Sequence, residues 1–218
     1  MTIGIYILII MALGYASVYL RERWLIAGWM MPLTWLGIFI HESCHALACI
    51  LTGGRVTGFR VTAREGYVTH YRPKVPIIGP MLTAVAPMFF GLIIIGLVDH
   101  FWLKTSLNIT TINIWDNFVQ VIINLNPLTL SGWILIALLL NIGVMLGPSL
   151  ADLKNIWPLI LISFFIRSQS LAMILSLVIA LMLVNLMLFI LIIAVRAIVN
   201  NKKLPAAYPD PASDNFNS

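Results

Sequence analysis

Long apolar stretches separated by short polar segments dominate the chain. The first stretch runs from about Thr2 to Leu20 and ends at the basic segment "RER", Arg21 to Arg23. About 20 apolar residues are enough for a helix to span a bilayer. The stretches do not alternate apolar and polar residues as the strands of a membrane β-barrel do. The pattern therefore predicts an all-α polytopic membrane protein, a bundle of five or six transmembrane helices.

Five further apolar segments follow along the chain. We predict them over residues 24–52, 75–97, 132–146, 156–166 and 171–199. The segment 156–166 is short for a bilayer crossing, which leaves the choice between five and six helices open. The connection 99–130 contains a candidate interfacial helix that begins at Asp116. Residues 1–199 are thus expected to form a single membrane-embedded domain, followed by a disordered cytoplasmic tail over 200–218 that is rich in Pro, Asn and Ser.

One segment has the pattern of β-structure. Residues 55–74, directly after the second predicted helix, mix Val, Thr, Tyr and Phe with charged residues, and "AREG" at 63–66 can form a turn. This predicts a small β-hairpin after helix 2.

Composition and charge support a membrane protein and suggest its orientation. The chain of 218 residues is 61% hydrophobic and 10% charged, with mean hydropathy +0.99, whereas soluble domains are about 25% charged. The net charge of +5 is modest and gives no reason to expect nucleic acid. Five Lys or Arg lie in 53–75 and one lies in 99–130. The positive-inside rule then predicts a cytoplasmic hairpin and, with six crossings, two cytoplasmic termini. We expect a prokaryotic cell membrane.

The candidate chemistry lies in the second helix, in "GIFIHESCHALACILTGG", residues 37–54. His41 and His45 are four residues apart, so a helix places them one turn apart on one face, where both can bind one metal ion. Glu42 lies beside them, as a general base would. Ionisable groups at membrane depth usually serve function. The alternative is a pair of histidines satisfied by neighbouring helices, with Glu42 in a buried ion pair.

A catalytic zinc site needs three protein ligands and an open position. We expect Asp152, in "GPSLADLKN", to approach the same half of the membrane as His41 and His45 and to be the third ligand. Its other possible roles are a helix cap or a partner for Lys154. His70 in the hairpin is the next candidate. Three further candidates are expected on the opposite side of the membrane: Asp99, His100 and Asp116.

Three motifs resemble those of the site-2 protease family of intramembrane zinc metalloproteases, in particular its compact prokaryotic members. They are "HESCHALACILTGGRV", Gly79–Pro80 and "GPSLAD", which together extend over about residues 37–155. The resemblance implies one Zn²⁺ per chain on His41, His45 and Asp152, with Glu42 as the base. The common third-ligand motif of the family is N-P-x-P-x-x-x-L-D-G, and only Asp152 and the nearby Pro148 match it.

These residues predict an enzyme that hydrolyses peptide bonds in or near transmembrane segments of membrane-protein substrates. Glu42 would assist the attack of zinc-bound water on the peptide carbonyl. The edge of the hairpin could bind an unwound substrate as an added strand. We therefore predict substrate contacts for the first strand residues, Arg55, Val56, Thr57 and Gly58, with a plain surface hairpin as the alternative. Asn141, one or two turns before Pro148, is a further candidate contact, and its alternative role is a hydrogen bond between helices. The bilayer is the other expected partner, and a regulatory membrane partner or complex is possible.

Two other functions fit the same residues. One is a metal-binding membrane protein without proteolytic activity, acting as an assembly factor or as a subunit of a larger complex. The other is a transporter or channel in which the histidines and Glu42 relay protons. The lack of an internal repeat and the metal-type spacing argue against the second.

Overall fold

The computed structural model describes residues 2–21, 23, 31–62, 66–71, 73–103, 111–147 and 150–200. These residues form seven α-helices and one hairpin. The helices are α1 (Ile3–Leu20), α2 (Met31–Leu51), α3 (Ile78–Val98), α4 (Ile114–Asn124), α5 (Leu130–Ile142), α6 (Leu150–Ser163) and α7 (Gln169–Asn200). The strands β1 (Arg55–Val61) and β2 (Gly66–Tyr71) pair antiparallel. A π-helical turn, Asp99–Leu103, extends α3, and a 3₁₀ turn, Gly143–Leu146, extends α5.

The fold is a helical membrane bundle with a hairpin after the second helix, as the sequence predicts. Within the described residues, three helical segments are long and apolar enough to cross a membrane: Ile3–Leu20, Ile78–Phe101 and Gln169–Val199. The apolar parts of α2 and α5, Trp35–Leu51 and Leu130–Ile142, are shorter. The number of crossings, five or six, stays a prediction.

Helix α7 forms the centre of the bundle. It is apolar on all sides, which is typical of a helix surrounded by others, and it packs against α1, α4 and α5. The side chains at its middle, from Val178 to Met182, are fully or almost fully buried. Helix α2 packs mainly against α3 and α5. The helix with the two histidines is thus held by elements distant in sequence.

Two close helix contacts depend on glycine. At Gly37 in α2, an added Cβ would lie 1.9 Å from the carbonyl oxygen of Asn141 in α5. At Gly147, just after the 3₁₀ turn, it would lie 2.3 Å from Cα of Gly14 in α1. Small residues let helix backbones approach each other in membranes. These contacts fix α2 against α5 and α1 against the break between α5 and α6.

Helices α1 and α7 run in the same direction. Near their N-terminal ends, Tyr6 and Ser176 both donate hydrogen bonds to backbone carbonyls of residues 111–112, at 3.5 and 3.0 Å. Farther along, Gly14 of α1 and Met182 of α7 both lie against Gly147.

This direction does not agree with the expectation that both termini lie on one side of the membrane. Because α1 and α7 are parallel and α7 has 32 residues, Ile3 and Asn200 lie at opposite ends of the bundle. The expectation of two cytoplasmic termini depends on six crossings, whereas five crossings, which the sequence leaves open, place the termini on opposite sides. A cytoplasmic hairpin stays a prediction.

Several predicted boundaries change. Asp152 and the apolar segment after it belong to one helix, α6, whose first turn contains Asp152. Helix α4 begins before the expected cap, because Asn113 accepts the capping hydrogen bond from the Trp115 amide and Asp116 follows in the first turn. The start of the second predicted helix, residues 24–30, and the expected tail after residue 200 lie outside the described residues.

Candidate metal centre

Two histidines of α2 and one aspartate of α6 meet inside the bundle. The Nε2 atoms of His41 and His45 are 3.0 Å apart. Asp152 Oδ2 lies 4.0 Å from His41 Nε2, and Asp152 Oδ1 lies 3.5 Å from His45 Nε2. The potential ligand atoms of the three residues all lie within 4.8 Å of one another, so the group could hold a metal ion.

The separations between these three side chains fit a zinc ion. Zinc binds His nitrogen and carboxylate oxygen at about 2.0–2.2 Å, so two ligands of a tetrahedral site are about 3.4 Å apart. The 3.0 Å between the two histidine nitrogens and the 3.5 Å from Asp152 Oδ1 to His45 Nε2 lie close to that value, and the 4.0 Å to His41 Nε2 is measured from the other carboxylate oxygen. Two His and one carboxylate are also a donor set of catalytic zinc sites, which keep a fourth position open.

The orientation of His45 is fixed from behind. Its Nδ1 lies 2.8 Å from the main-chain oxygen of Thr83 in α3, and both residues are buried. A carbonyl oxygen only accepts hydrogen bonds, so Nδ1 carries the proton and Nε2 keeps its lone pair. Histidine ligands are commonly oriented by such a bond on the other ring nitrogen. His45 is therefore in the tautomer that a metal requires.

The hairpin lies directly against Glu42. A Cβ added at Gly66, the first residue of β2, would lie 2.5 Å from Glu42 Cγ and 2.8 Å from Ile38 Cγ2. Gly66 pairs with Val61 at the turn end of the sheet. The turn end of the sheet, at Gly66, thus lies against the Glu42 side chain, and the absence of a side chain at Gly66 permits this approach.

Comparison with known proteins agrees with these residues. A family model described as Peptidase M50B-like matches residues 5–156, which include both histidines, Glu42 and Asp152. The chain belongs to the Peptidase M50B-like family. This family confirms the resemblance to site-2 proteases and makes the chain a member of a zinc protease family. Searches of curated proteins and of solved structures gave no match.

Arg21 lies near Glu42 and the candidate metal ligands, and it was not identified from the sequence. It follows the last residue of α1, and its positive charge acts on both His41 and Glu42. The negative charge of Asp152 also acts on Glu42. The sequence shows Arg21 only as part of a basic helix end, because the contact between this end and α2 is tertiary.

An apolar cavity of about 100 Å³ borders the same site in the M50B-like bundle. His41 forms part of its wall, together with residues of α1, α3 and α6 such as Met11, Val85 and Leu159. An apolar cavity of about 150 Å³ is known to hold benzene, so this one has room for about one aliphatic side chain. His41 thus borders an apolar cavity as well as the group of candidate ligands.

The other predicted contact residues lie elsewhere in the M50B-like structure. In the register of the hairpin, Arg55, Val56 and Gly58 pair with residues 69–71, at the end of the sheet away from Gly66. Thr57 lies at an irregularity between them, where its hydroxyl donates to the Thr69 carbonyl at 3.0 Å. Their contact with a substrate stays a prediction, whereas Gly66, at the opposite end of the sheet, lies against Glu42.

Asn141 lies at the contact between α5 and α2. Its side-chain Nδ2 donates to the Ala137 carbonyl at 2.9 Å, within α5, and its backbone contacts Gly37. Gly37 lies one turn before His41, so Asn141 supports the ligand helix. Its predicted role in substrate binding stays a prediction.

The residues considered as other third ligands are not part of the group. His70 is exposed on β2, and its Nδ1 lies 3.1 Å from the Tyr71 carbonyl. Asp99 and His100 lie in the π-helical turn at the far end of α3, and Asp116 lies in α4. Asp152 is the acidic residue that the fold brings to the two histidines.

Proposed function

We propose that this protein is an intramembrane zinc metalloprotease that cleaves peptide bonds in or near transmembrane segments. His41, His45 and Asp152 would hold the zinc ion, and Glu42 would be the general base. The observation that supports this proposal best is the meeting of the three ligand side chains within 4.8 Å, inside a helical bundle whose sequence matches a peptidase family.

A zinc ion at this position would supply Lewis-acid activation of a water molecule and of the scissile carbonyl. Glu42 acts on the protons. Its carboxylate accepts one proton from the attacking water and passes it to the leaving nitrogen as the carbon–nitrogen bond breaks. His45, held by Thr83, keeps a fixed lone pair towards the centre.

The surroundings of the site suit an extended apolar substrate. The hairpin is a two-stranded sheet, so each strand has an outer edge that could pair with an unwound segment. Gly66, at the turn end of the sheet, lies against Glu42, and the apolar cavity borders His41. A segment bound at the sheet could therefore place a peptide carbonyl at the centre and a neighbouring side chain in the cavity.

Zinc content and cleavage, measured on the same preparations, test this proposal. The purified protein in liposomes is tested against a panel of single-span transmembrane peptides with labels on both ends. We expect one zinc per chain and cleavage within the apolar segment. His41→Ala should lose the zinc and the cleavage. Glu42→Gln should keep the zinc and lose the cleavage, because the ligands remain but the base is absent.

The two alternatives give different results in this experiment. Zinc in the wild type without cleavage of any peptide in the panel would favour the assembly or subunit function. A wild-type protein that binds no zinc would contradict both metal-based functions and would leave proton transfer by the histidines as the better explanation.

A further inference from the structure

A proline in α3 lies one helical turn after the residue that holds His45. Pro87 is inside α3 and buried. In a regular α-helix, the N–H of residue 87 would donate to the carbonyl of residue 83. Proline has no N–H, and its ring also pushes against that carbonyl. The carbonyl of Thr83 is therefore left without its helical donor.

His45 takes the place of the missing donor. Its Nδ1–H donates to the Thr83 oxygen at 2.8 Å. The hydroxyl of Thr83 donates instead to the Gly79 carbonyl, at 2.9 Å, so the oxygen that holds the histidine is the main-chain oxygen. A buried carbonyl without a partner would be costly. Pro87 leaves the Thr83 carbonyl without a helical donor, and His45 supplies a donor from α2.

We infer that Pro87 is a positioning residue of the metal centre, because it reserves the Thr83 carbonyl for Nδ1 of His45 and thereby sets the ring and tautomer of this ligand. This inference rests on the proposed zinc site. The two histidines differ in this respect: Nδ1 of His41 is buried and has no hydrogen-bond partner among the described residues. His45 is accordingly the ligand that is oriented before a metal binds.

Substitution of the proline should separate helix stability from metal affinity. Pro87→Ala returns an N–H to α3, lets the helix close and turns the Thr83 carbonyl back towards the helix axis. Alanine is much better than proline inside a helix, so the metal-free protein should melt at the same temperature or higher. Its zinc affinity should fall about 10- to 100-fold, as for other losses of a bond behind a metal ligand.

Two proline variants serve as matched controls. Pro80 lies in the first turn of α3, where an N–H at this position would face the Pro76 carbonyl, which already accepts from the Ile78 amide at 2.7 Å, so its replacement does not involve His45. Pro158 is inside α6, the helix of the third ligand, so its replacement repairs a helix without involving His45. Pro80→Ala and Pro158→Ala should both bind zinc as the wild type does.

A backbone change tests the missing N–H itself. Pro87 is also part of the cavity wall at His41, so alanine changes two features at once. An α-hydroxy acid at position 87, introduced by nonsense suppression, lacks both the ring and the N–H. It should bind zinc more tightly than the amino acid with the same side chain. The visible absorption spectrum of the Co²⁺-loaded protein reports the geometry of the metal ligands. We expect the spectrum of Pro87→Ala to differ from that of the wild type, and the spectrum of the α-hydroxy acid variant to be closer to the wild type.

The outcomes are distinct. Two results would overturn the role of Pro87 and leave the metal site intact. One is wild-type affinity for zinc in Pro87→Ala; the other is equal zinc affinity in the variants with the α-hydroxy acid and with the matching amino acid at position 87. Weaker zinc binding together with a lower melting temperature of the metal-free protein would show a purely structural role and would also overturn it. A wild-type protein without zinc affinity would instead overturn the proposed function, on which this inference depends.

Discussion

Gly66 of the hairpin lies against the side chain of Glu42, so close that a Cβ at this position would come within 2.5 Å of Glu42 Cγ. The proposed base therefore has a strand as one of its walls. A shift of β2 at Gly66 would therefore change the surroundings of this carboxylate.

Gly66→Ala should slow peptide cleavage without removing the zinc. The added methyl group must push either Glu42 or the hairpin, and a misplacement of about 1 Å can cost on the order of 100-fold in rate. We expect a loss of at least about 10-fold in kcat on this basis, measured on the labelled peptides. Gly96→Ala in α3 is the control, because no atom lies within 4 Å of its added Cβ. Equal losses in both variants would contradict a specific effect on Glu42.

Arg21→Gln should also reduce cleavage while zinc remains bound. The positive charge of Arg21 interacts with both Glu42 and His41, so its removal takes a cation away from the group that transfers the proton. Charges placed near a reacting group contribute factors of about 10 or more. Arg23→Gln removes the same charge two residues later, where the guanidinium lies 5.6 Å from the centre of the Tyr19 ring. If Arg23→Gln lowers kcat as much as Arg21→Gln does, the effect is one of net charge and not of position.

Gly37→Ala should destabilise the bundle. The methyl group would overlap the main-chain oxygen of Asn141, which cannot rotate away as a side chain would, and overpacking of this kind typically costs about 1–3 kcal/mol. Unfolding in mixed micelles at increasing SDS measures the change. Gly96→Ala in α3 is the control, because no atom lies within 4 Å of its added Cβ. A variant of Gly37 as stable as that of Gly96 would refute the tight contact between α2 and α5.

Zinc should stabilise the folded protein through Asp152. A ligand that binds only the folded state at 100 times its Kd adds about 2.7 kcal/mol, which a thermal melt with and without zinc detects. Asp152→Asn should lose this increase. Asp116→Asn removes a carboxylate from α4, outside the group, and should keep it. An undiminished increase in Asp152→Asn would show that another residue is the third ligand.

The local part of the site follows from the sequence. A helix of 3.6 residues per turn places His41 and His45 on one face whatever surrounds it, and a charged group in an apolar stretch is visible without a structure. Asp152 could be chosen because few acidic residues lie in the same half of the membrane. The apolar stretches likewise give the approximate positions of the helices.

The contacts between distant segments do not follow from the sequence. Gly66, Arg21 and Thr83 reach the site through the packing of the hairpin, α1 and α3, and no local pattern indicates these contacts. Thr83 acts through its main chain, so its residue type carries no signal, although Pro87 four residues later does indicate a free carbonyl. The parallel course of α1 and α7 depends on the number of crossings, five or six, which the short segment 156–166 leaves open.

The break in the chain at Gly143–Gly147 has an electrostatic consequence. Because α5 ends inside the bundle and α6 begins there, Asp152 lies in the first turn of a helix. The amide dipoles of that turn point their positive ends towards the carboxylate, and such an arrangement stabilises a negative charge. An unbroken helix would place the same aspartate among apolar side chains, with no such field. The interruption thus makes a buried anion tolerable before any cation arrives.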